Sequence, residues 1–91
     1  METKEKIIKI LNEALSVADL NVIDESHLHA THKEAKASGG GHFRIEIVSD
    51  DFSGKSSIER HRMINKLLFN QLKNEIHALS ITAKSLKEIS N

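Results

Sequence analysis

The sequence contains no cysteine, and this absence excludes several kinds of chemistry at once. Without thiols the chain cannot form disulfides, use a sulfur nucleophile or supply thiolate ligands to a metal. Any metal ligand that it provides must therefore be a histidine or a carboxylate, and the chain carries six histidines.

Aromatic residues and net charge are also scarce. Three phenylalanines are the only aromatic residues besides histidine, and 13 Lys and Arg balance 13 Asp and Glu. The core must therefore be built mainly from Ile, Leu, Val and Ala. A chain without a basic excess lacks the usual electrostatic attraction to phosphate backbones, and without Tyr or Trp it has few rings for base stacking. Nucleic-acid binding is the weaker expectation.

Long hydrophobic runs are missing as well. The longest apolar runs are a few residues, far short of the ~18 that would span a bilayer, and the N-terminus mixes acidic and basic residues. We therefore expect a cytoplasmic protein with no membrane association. A length of 91 residues suits one domain, with its core at about residues 5–84.

Hydrophobic periodicity predicts the element order αββαβα. A capping box formed by Ser56 and Glu59 opens the long second helix. Its apolar positions are expected to face the core: Ile58, Ile64, Leu67, Leu68 and Leu72. The remaining predicted segments are a helix from an N-cap at Thr3 to Leu15, strands at 20–26, 43–48 and 77–83, a loop at 27–41 and a helical turn at 85–89.

The predicted topology gathers histidines at one edge of the sheet. A strand, a long helix and another strand imply a right-handed crossover with parallel strands, so the strands that begin near 42 and 77 start at the same edge. The first strand should end there too, which brings five histidines together: His27, His29, His32, His42 and His77. Simple alternation places His77 at the rim of the core face and points His42 to solvent.

An ordered set of short motifs runs along the chain. They are Val22-Ile23-Asp24-Glu25-Ser26, His29, Gly41-His42-Phe43-Arg44, Val48-Ser49-Asp50, Phe52, Gly54-Lys55, Arg60-His61-Arg62-Met63 and Ile76-His77-Ala78-Leu79. Together they resemble the BolA-like family over roughly residues 5–84. The resemblance implies an α+β domain related to class II KH domains, with a three-stranded mixed sheet and helices packed on one face. It also implies a non-enzymatic partner of monothiol glutaredoxins in iron–sulfur handling.

The resemblance also implies a ligand set. In the complex with a glutaredoxin, a 2Fe-2S cluster is held on one iron by the partner's cysteine and glutathione, and on the other by the BolA-like protein. The family's histidine at the start of the last strand falls on His77, and its second ligand falls on His29 by spacing, with His32 as the alternative. No cluster is expected in the isolated protein, which would be a monomer or a weak homodimer.

Other functions remain open at this point. A nucleic-acid-binding transcriptional regulator would use the KH-like face, with Lys55, Arg60 and Arg62 at phosphates, so DNA stays a second candidate partner. A plain histidine site for Zn²⁺ or Ni²⁺ is a third alternative. Nucleotide hydrolysis is rejected because Ser49 stands where a phosphate-binding loop ending in Gly54-Lys55-Ser56 requires glycine. No residue set suggests catalysis.

Overall fold

The computed structural model describes residues 1–26 and 41–89. The helices are α1 (Thr3–Ala14), α2 (Ser57–Leu67), α3 (Phe69–Asn74) and α4 (Leu86–Ile89); the strands are β1 (Val17–Asp24), β2 (Gly41–Ser49) and β3 (Ile76–Lys84), with a 3-10 turn at Asp50–Phe52. Residues 27–40, most of the predicted loop, lie outside the described part of the chain.

The three strands form one mixed sheet in the order β1-β2-β3. β1 pairs with β2 antiparallel and β2 pairs with β3 parallel. The predicted crossover through the helices between β2 and β3 is therefore confirmed, and the starts of β2 and β3 lie at the same edge. β1 begins at Val17, three residues earlier than predicted. Its pairing with β2 is irregular between Val17 and Asp19.

The core lies between the helices and one face of the sheet. Alternate strand residues face it and pack against apolar residues of α1 and α2: the buried set includes Val22, Phe43, Ile45, Ile47, Ile7, Leu11 and Ile64. Each such side chain contributes roughly 1.5–3 kcal/mol when it is fully buried. The opposite face carries the intervening polar residues, among them Asn21 and Glu46. This arrangement confirms the predicted α+β fold.

Helix α1 is tied to the beginning of β3 rather than capped as predicted. Its N-cap is Glu2, and Thr3 instead donates from Oγ1 to Oε1 of Glu75 at 2.8 Å. Lys6 donates from Nζ to the same oxygen, also at 2.8 Å. Chiefly these bonds from Lys6, and then from Thr3, hold the pKa of Glu75 below its usual value.

The predicted capping box is confirmed, but the helix after it differs from the prediction in two ways. Ser56 Oγ accepts from the amide of Glu59, and the Glu59 carboxylate accepts from the amide of Ser56, which lowers the pKa of Glu59. Ile58 was wrongly placed in the core: it is 62% exposed. It precedes buried Ile64 by six residues, about 120° around the helix at 3.6 residues per turn. The helix also breaks at Leu68, where α2 ends and α3 follows.

Candidate histidine site at the sheet edge

A β-bulge at the start of β3 determines where His77 points. Gly41 pairs with Ile76, and the next residue of β2, His42, pairs with Ala78, so no residue of β2 lies opposite His77. A bulge inserts one residue and redirects its side chain. Ile76 therefore fills the core position, and His77 is exposed. The prediction that His77 lies at the rim of the core face was wrong because alternation does not continue across a bulge.

His42 lies beside His77 on the outer face of the sheet. The two ring centroids are 5.1 Å apart, with an interplanar angle of 47°. This distance is within the 4.5–7 Å range of packed aromatic rings. His42 is half-buried and its Nε2 is inaccessible to solvent. It therefore lies on the predicted face, but the expectation that it points to solvent was wrong.

The end of β1 holds the backbone of His42 on both sides. The amide of Glu25 donates to the carbonyl oxygen of His42 at 2.7 Å, and the amide of His42 donates to Oγ of Ser26 at 3.0 Å. Ser26 is itself in a turn in which its amide donates to Oδ1 of Asp24 at 2.9 Å. The Asp24-Glu25-Ser26 motif therefore fixes the beginning of β2.

Gly41 is required by close packing at the same edge. A Cβ atom on Gly41 would lie 2.6 Å from Cε2 of Phe43 and 3.0 Å from Oγ of Ser26. The amide of Gly41 also donates to the carbonyl oxygen of Glu75 at 3.0 Å. A side chain at position 41 would thus displace the ring of Phe43 and the Ser26 hydroxyl that accepts from the amide of His42.

The predicted loop ligands His29 and His32 lie outside the described residues, as does His27. Within residues 1–26 and 41–89, no group of three or more His, Asp or Glu side chains is arranged to hold a metal ion. The described edge offers two adjacent imidazoles, and only His77 is exposed. Such a donor set suits a metal group whose other ligands come from elsewhere, as in a cluster shared with a second protein.

The predicted basic contact residues lie toward the other end of the sheet, and they differ in exposure. Lys55 and Arg62 are exposed. The Arg60 side chain is only 11% exposed, donates to the carbonyl oxygens of Lys55 and Ala83, and forms an ion pair of 2.6 Å with Glu88. Arg60 therefore stabilises the fold, which leaves Lys55 and Arg62 as the open pair.

The electrostatics of this far end are set by Glu88. Its carboxylate accepts from the amide and the hydroxyl of Ser85, both at 2.8 Å. These bonds, and then the one from Arg60, lower the pKa of Glu88 to about 2. The histidine end has carboxylate bonds of its own: Glu75 accepts from Thr3 and Lys6, and Glu25 accepts from Arg44.

A sequence model of the BolA-like protein family matches residues 11–88. The chain belongs to the BolA-like family. The match covers all three strands, α2, α3 and the edge that carries His42 and His77. The resemblance read from the ordered motifs is therefore confirmed.

Known BolA-like proteins agree with this assignment in sequence and structure. SufE-like protein 1, chloroplastic/mitochondrial, of Arabidopsis thaliana is 43% identical over 88 residues, which are 92% of this chain and 24% of the relative. The chain therefore spans about a quarter of that relative. The DNA-binding transcriptional regulator BolA of Escherichia coli is 35% identical over 88 residues, 97% of this chain and 80% of the relative. The BolA domain of SufE1 from Arabidopsis thaliana superposes with a TM-score of 0.84 at 40% identity, covering 98% of this chain and 99% of that domain.

The cytoplasmic location stays a prediction. One relative is named chloroplastic/mitochondrial, so the family is not confined to the cytoplasm. In the described ranges, no helix has the length and apolar character needed to cross a bilayer.

The common edge of His42 and His77 was predicted from the sequence, but the contact between their rings on the outer face was missed, although one signal for it was present. Ile76 and Leu79 are both apolar and are three residues apart, whereas a regular strand places residues on one face at even spacing. An odd spacing of core residues indicates an inserted residue, and here His77 is that residue.

Proposed function

We propose that this chain is a non-enzymatic adaptor that binds a monothiol glutaredoxin and co-ligates a bridging 2Fe-2S cluster through His77. BolA-like proteins are generally regulators or adaptors rather than enzymes, which supports the broader part of the proposal. The proposal that the chain ligates a cluster rests on the exposed imidazole of His77, which the bulge holds out of the core.

The chemistry of the donors supports the same proposal. A chain without cysteine must bind iron through nitrogen or oxygen, and an exposed imidazole is a common iron ligand. When bound, such a mixed Cys and His cluster supplies one-electron chemistry at a higher potential than an all-thiolate cluster. His77 would donate one nitrogen, His29 or His32 would donate the second, and the partner with glutathione would complete the other iron.

The test is anaerobic reconstitution of iron and sulfide with this protein, a monothiol glutaredoxin and glutathione. Visible absorption and circular dichroism would be followed for the wild type and for His77→Ala, His29→Ala and His32→Ala, with His61→Ala as the histidine control on α2. We expect a spectrum that differs from that of the glutaredoxin homodimer and that is lost in His77→Ala. The loop variant that also changes it identifies the second ligand.

The outcome that overturns the adaptor function is equally direct. If an excess of the wild-type protein over glutaredoxin leaves the spectrum of the glutaredoxin homodimer unchanged, no shared cluster forms. If a mixed spectrum appears but His77→Ala and His61→Ala behave alike, the cluster is shared without His77.

A second candidate function is DNA binding in transcriptional regulation, favoured by two observations. The Escherichia coli relative is named a DNA-binding transcriptional regulator, and Lys55 and Arg62 are exposed near the start of α2. Contacts with phosphate would make binding strongly dependent on salt. We expect each of Lys55→Ala and Arg62→Ala to reduce the slope of log affinity against log salt by about 1. Unchanged slopes in both variants would exclude this surface.

A further inference from the structure

His77 stands at a position where little in the strand itself restrains its side chain. No residue of β2 lies opposite it, and β3 is an edge strand of the sheet. An exposed side chain at such a position ordinarily samples several rotamers. A metal ligand, in contrast, is oriented by neighbouring groups, and the loss of those groups typically weakens binding 10–100-fold.

His42 is the neighbour that meets this need. Its backbone amide and carbonyl are both hydrogen-bonded to the end of β1, through Ser26 and Glu25. Its ring is half-buried with Nε2 inside. The backbone of His42 is thus held by two hydrogen bonds and its ring is half-buried, whereas the ring of His77 beside it is exposed.

The ring contact gives His42 a way to act on His77. At 5.1 Å between centroids and a tilt of 47°, the ring of His42 packs against that of His77, and a packed neighbour restricts the orientations that a side chain adopts. The bulge redirects His77 to the outer face, and the fixed ring then limits how it can turn there.

We propose that His42 is a positioning residue whose anchored ring packs against His77 and holds that imidazole in one orientation for the metal group it ligates. This inference rests on the proposed function of His77, and it assigns a role to a histidine that the predicted ligand set of His77 with His29 or His32 does not use. His42 acts through its ring and donates no bond to the metal.

Two substitutions separate contact through the ring from other roles of His42. His42→Phe retains an aromatic ring and removes both nitrogens, whereas His42→Ala removes the ring. In the mixed complex with glutaredoxin and glutathione, we expect His42→Ala to lose its cluster about tenfold faster than the wild type. His42→Phe should restore retention, and His61→Ala should match the wild type.

The spectroscopic readout is the coupling of a histidine nitrogen to the reduced cluster, measured by pulsed electron paramagnetic resonance. We expect wild type and His42→Phe to give one sharp set of couplings from His77, and His42→Ala to give a broadened set. A change of overall stability alone would not broaden these couplings in the complexes that remain.

A measurement on the isolated wild-type protein requires no variant to fold. Proton nuclear magnetic resonance should show contacts between the rings of His42 and His77, and the χ1 couplings of His77 should correspond to one dominant rotamer. Averaged χ1 couplings without ring contacts would overturn the proposal.

Failure of this inference is distinguishable from failure of the proposed function. A wild-type cluster complex that His42→Ala leaves unchanged overturns the positioning role and leaves the adaptor function intact. A His42→Phe variant that loses the cluster as fast as His42→Ala also overturns it, because the ring would then not be the active feature. If no wild-type complex forms, the adaptor function fails, and the resonance measurement alone decides whether His42 orders His77.

Discussion

The two ends of the sheet differ in how far their polar side chains are bonded within the fold. At the far end, Ser49 is fully buried, and its hydroxyl donates to Oδ2 of Asp51 at 3.1 Å, an oxygen that also accepts from the amide of Ser16 at 2.7 Å. Arg60 and Glu88 close the same end with their ion pair. At the histidine end, hydrogen bonds fix the backbone of His42, while the ring of His77 faces solvent.

This difference separates residues whose polar groups are bonded within the fold from a residue whose ring is exposed. Carboxylates and a guanidinium whose capacity is used within the chain stabilise it and have little left for a partner. An exposed imidazole such as that of His77 contributes little to folding and stays accessible to a ligand. The end that we propose to be functional is therefore the one at which an imidazole, that of His77, is exposed.

The largest test of the comparison is Phe52→Ala at the far end. Phe52 is fully buried at the end of the 3-10 turn that follows β2, and loss of its ring should reduce the free energy of unfolding by about 3–5 kcal/mol. Chemical denaturation measures this change. The folded fraction should still form the mixed cluster, since the histidine edge is remote. A stable variant that lost the cluster would show that the two ends are coupled.

Gly41→Ala should have the next largest effect, and it tests the histidine end. The new methyl group would contact the ring of Phe43 and Oγ of Ser26, so we expect a loss of about 1–3 kcal/mol from overpacking. Thermal melts report the stability, and cluster retention in the complex reports the site. An unchanged melting temperature would mean that Phe43 and Ser26 move aside for the methyl group at little cost, contrary to the packing described.

Glu88→Gln should lower stability at neutral pH, where the ionised carboxylate is bonded to Ser85 and Arg60, and this loss should shrink as the pH falls. The folded-state pKa of Glu88, about 2, is below its ordinary value of 4.5, so the ionised carboxylate stabilises the fold. That stabilisation is fully present above about pH 4.5 and is lost as the pH falls toward 2. Denaturation at pH 7 and at pH 3 should show a smaller acid-induced loss for Glu88→Gln than for the wild type. Equal acid-induced losses of stability in the two proteins would show that the bonds of Glu88 to Ser85 and Arg60 do not stabilise the fold.

His77→Ala should have the smallest effect on stability, within about 0.5 kcal/mol, as for other exposed residues. The same substitution should abolish the shared cluster, so stability and function separate at this position. Equilibrium denaturation measures the first quantity. A loss of several kcal/mol would mean that His77 is part of the structural framework, and the contrast between the two ends would disappear.

The sequence predicted the fold better than it predicted the site. Periodicity, the capping box of Ser56 and Glu59 and the crossover rule together determine the order of elements and the edge where His42 and His77 meet. They do not determine side-chain direction at that edge, because the bulge depends on pairing between β2 and β3 that is distant in sequence. Ile58 shows the same limit. Its apolar character predicts burial, but it lies on a different side of α2 from buried Ile64 and is exposed.

Arg60 marks a further limit of sequence reasoning. A basic residue between two others on an exposed helix favours contact with an anion, and nothing local indicates its partners Ala83 and Glu88. Those contacts exist because the crossover returns β3 alongside the start of α2. Long-range packing, and not local composition, therefore decided that Arg60 is bonded within the fold while Lys55 and Arg62 remain exposed.

The bulge at His77 has a consequence for redesign. Since no residue of β2 faces position 77, a replacement side chain there leaves the ladder of β2 and β3 intact. Different donor atoms can therefore be placed at position 77: Cys would offer a soft sulfur and Asp a hard oxygen on the same backbone. The donor atom of the proposed cluster ligand can thus be varied at one residue without rebuilding the sheet.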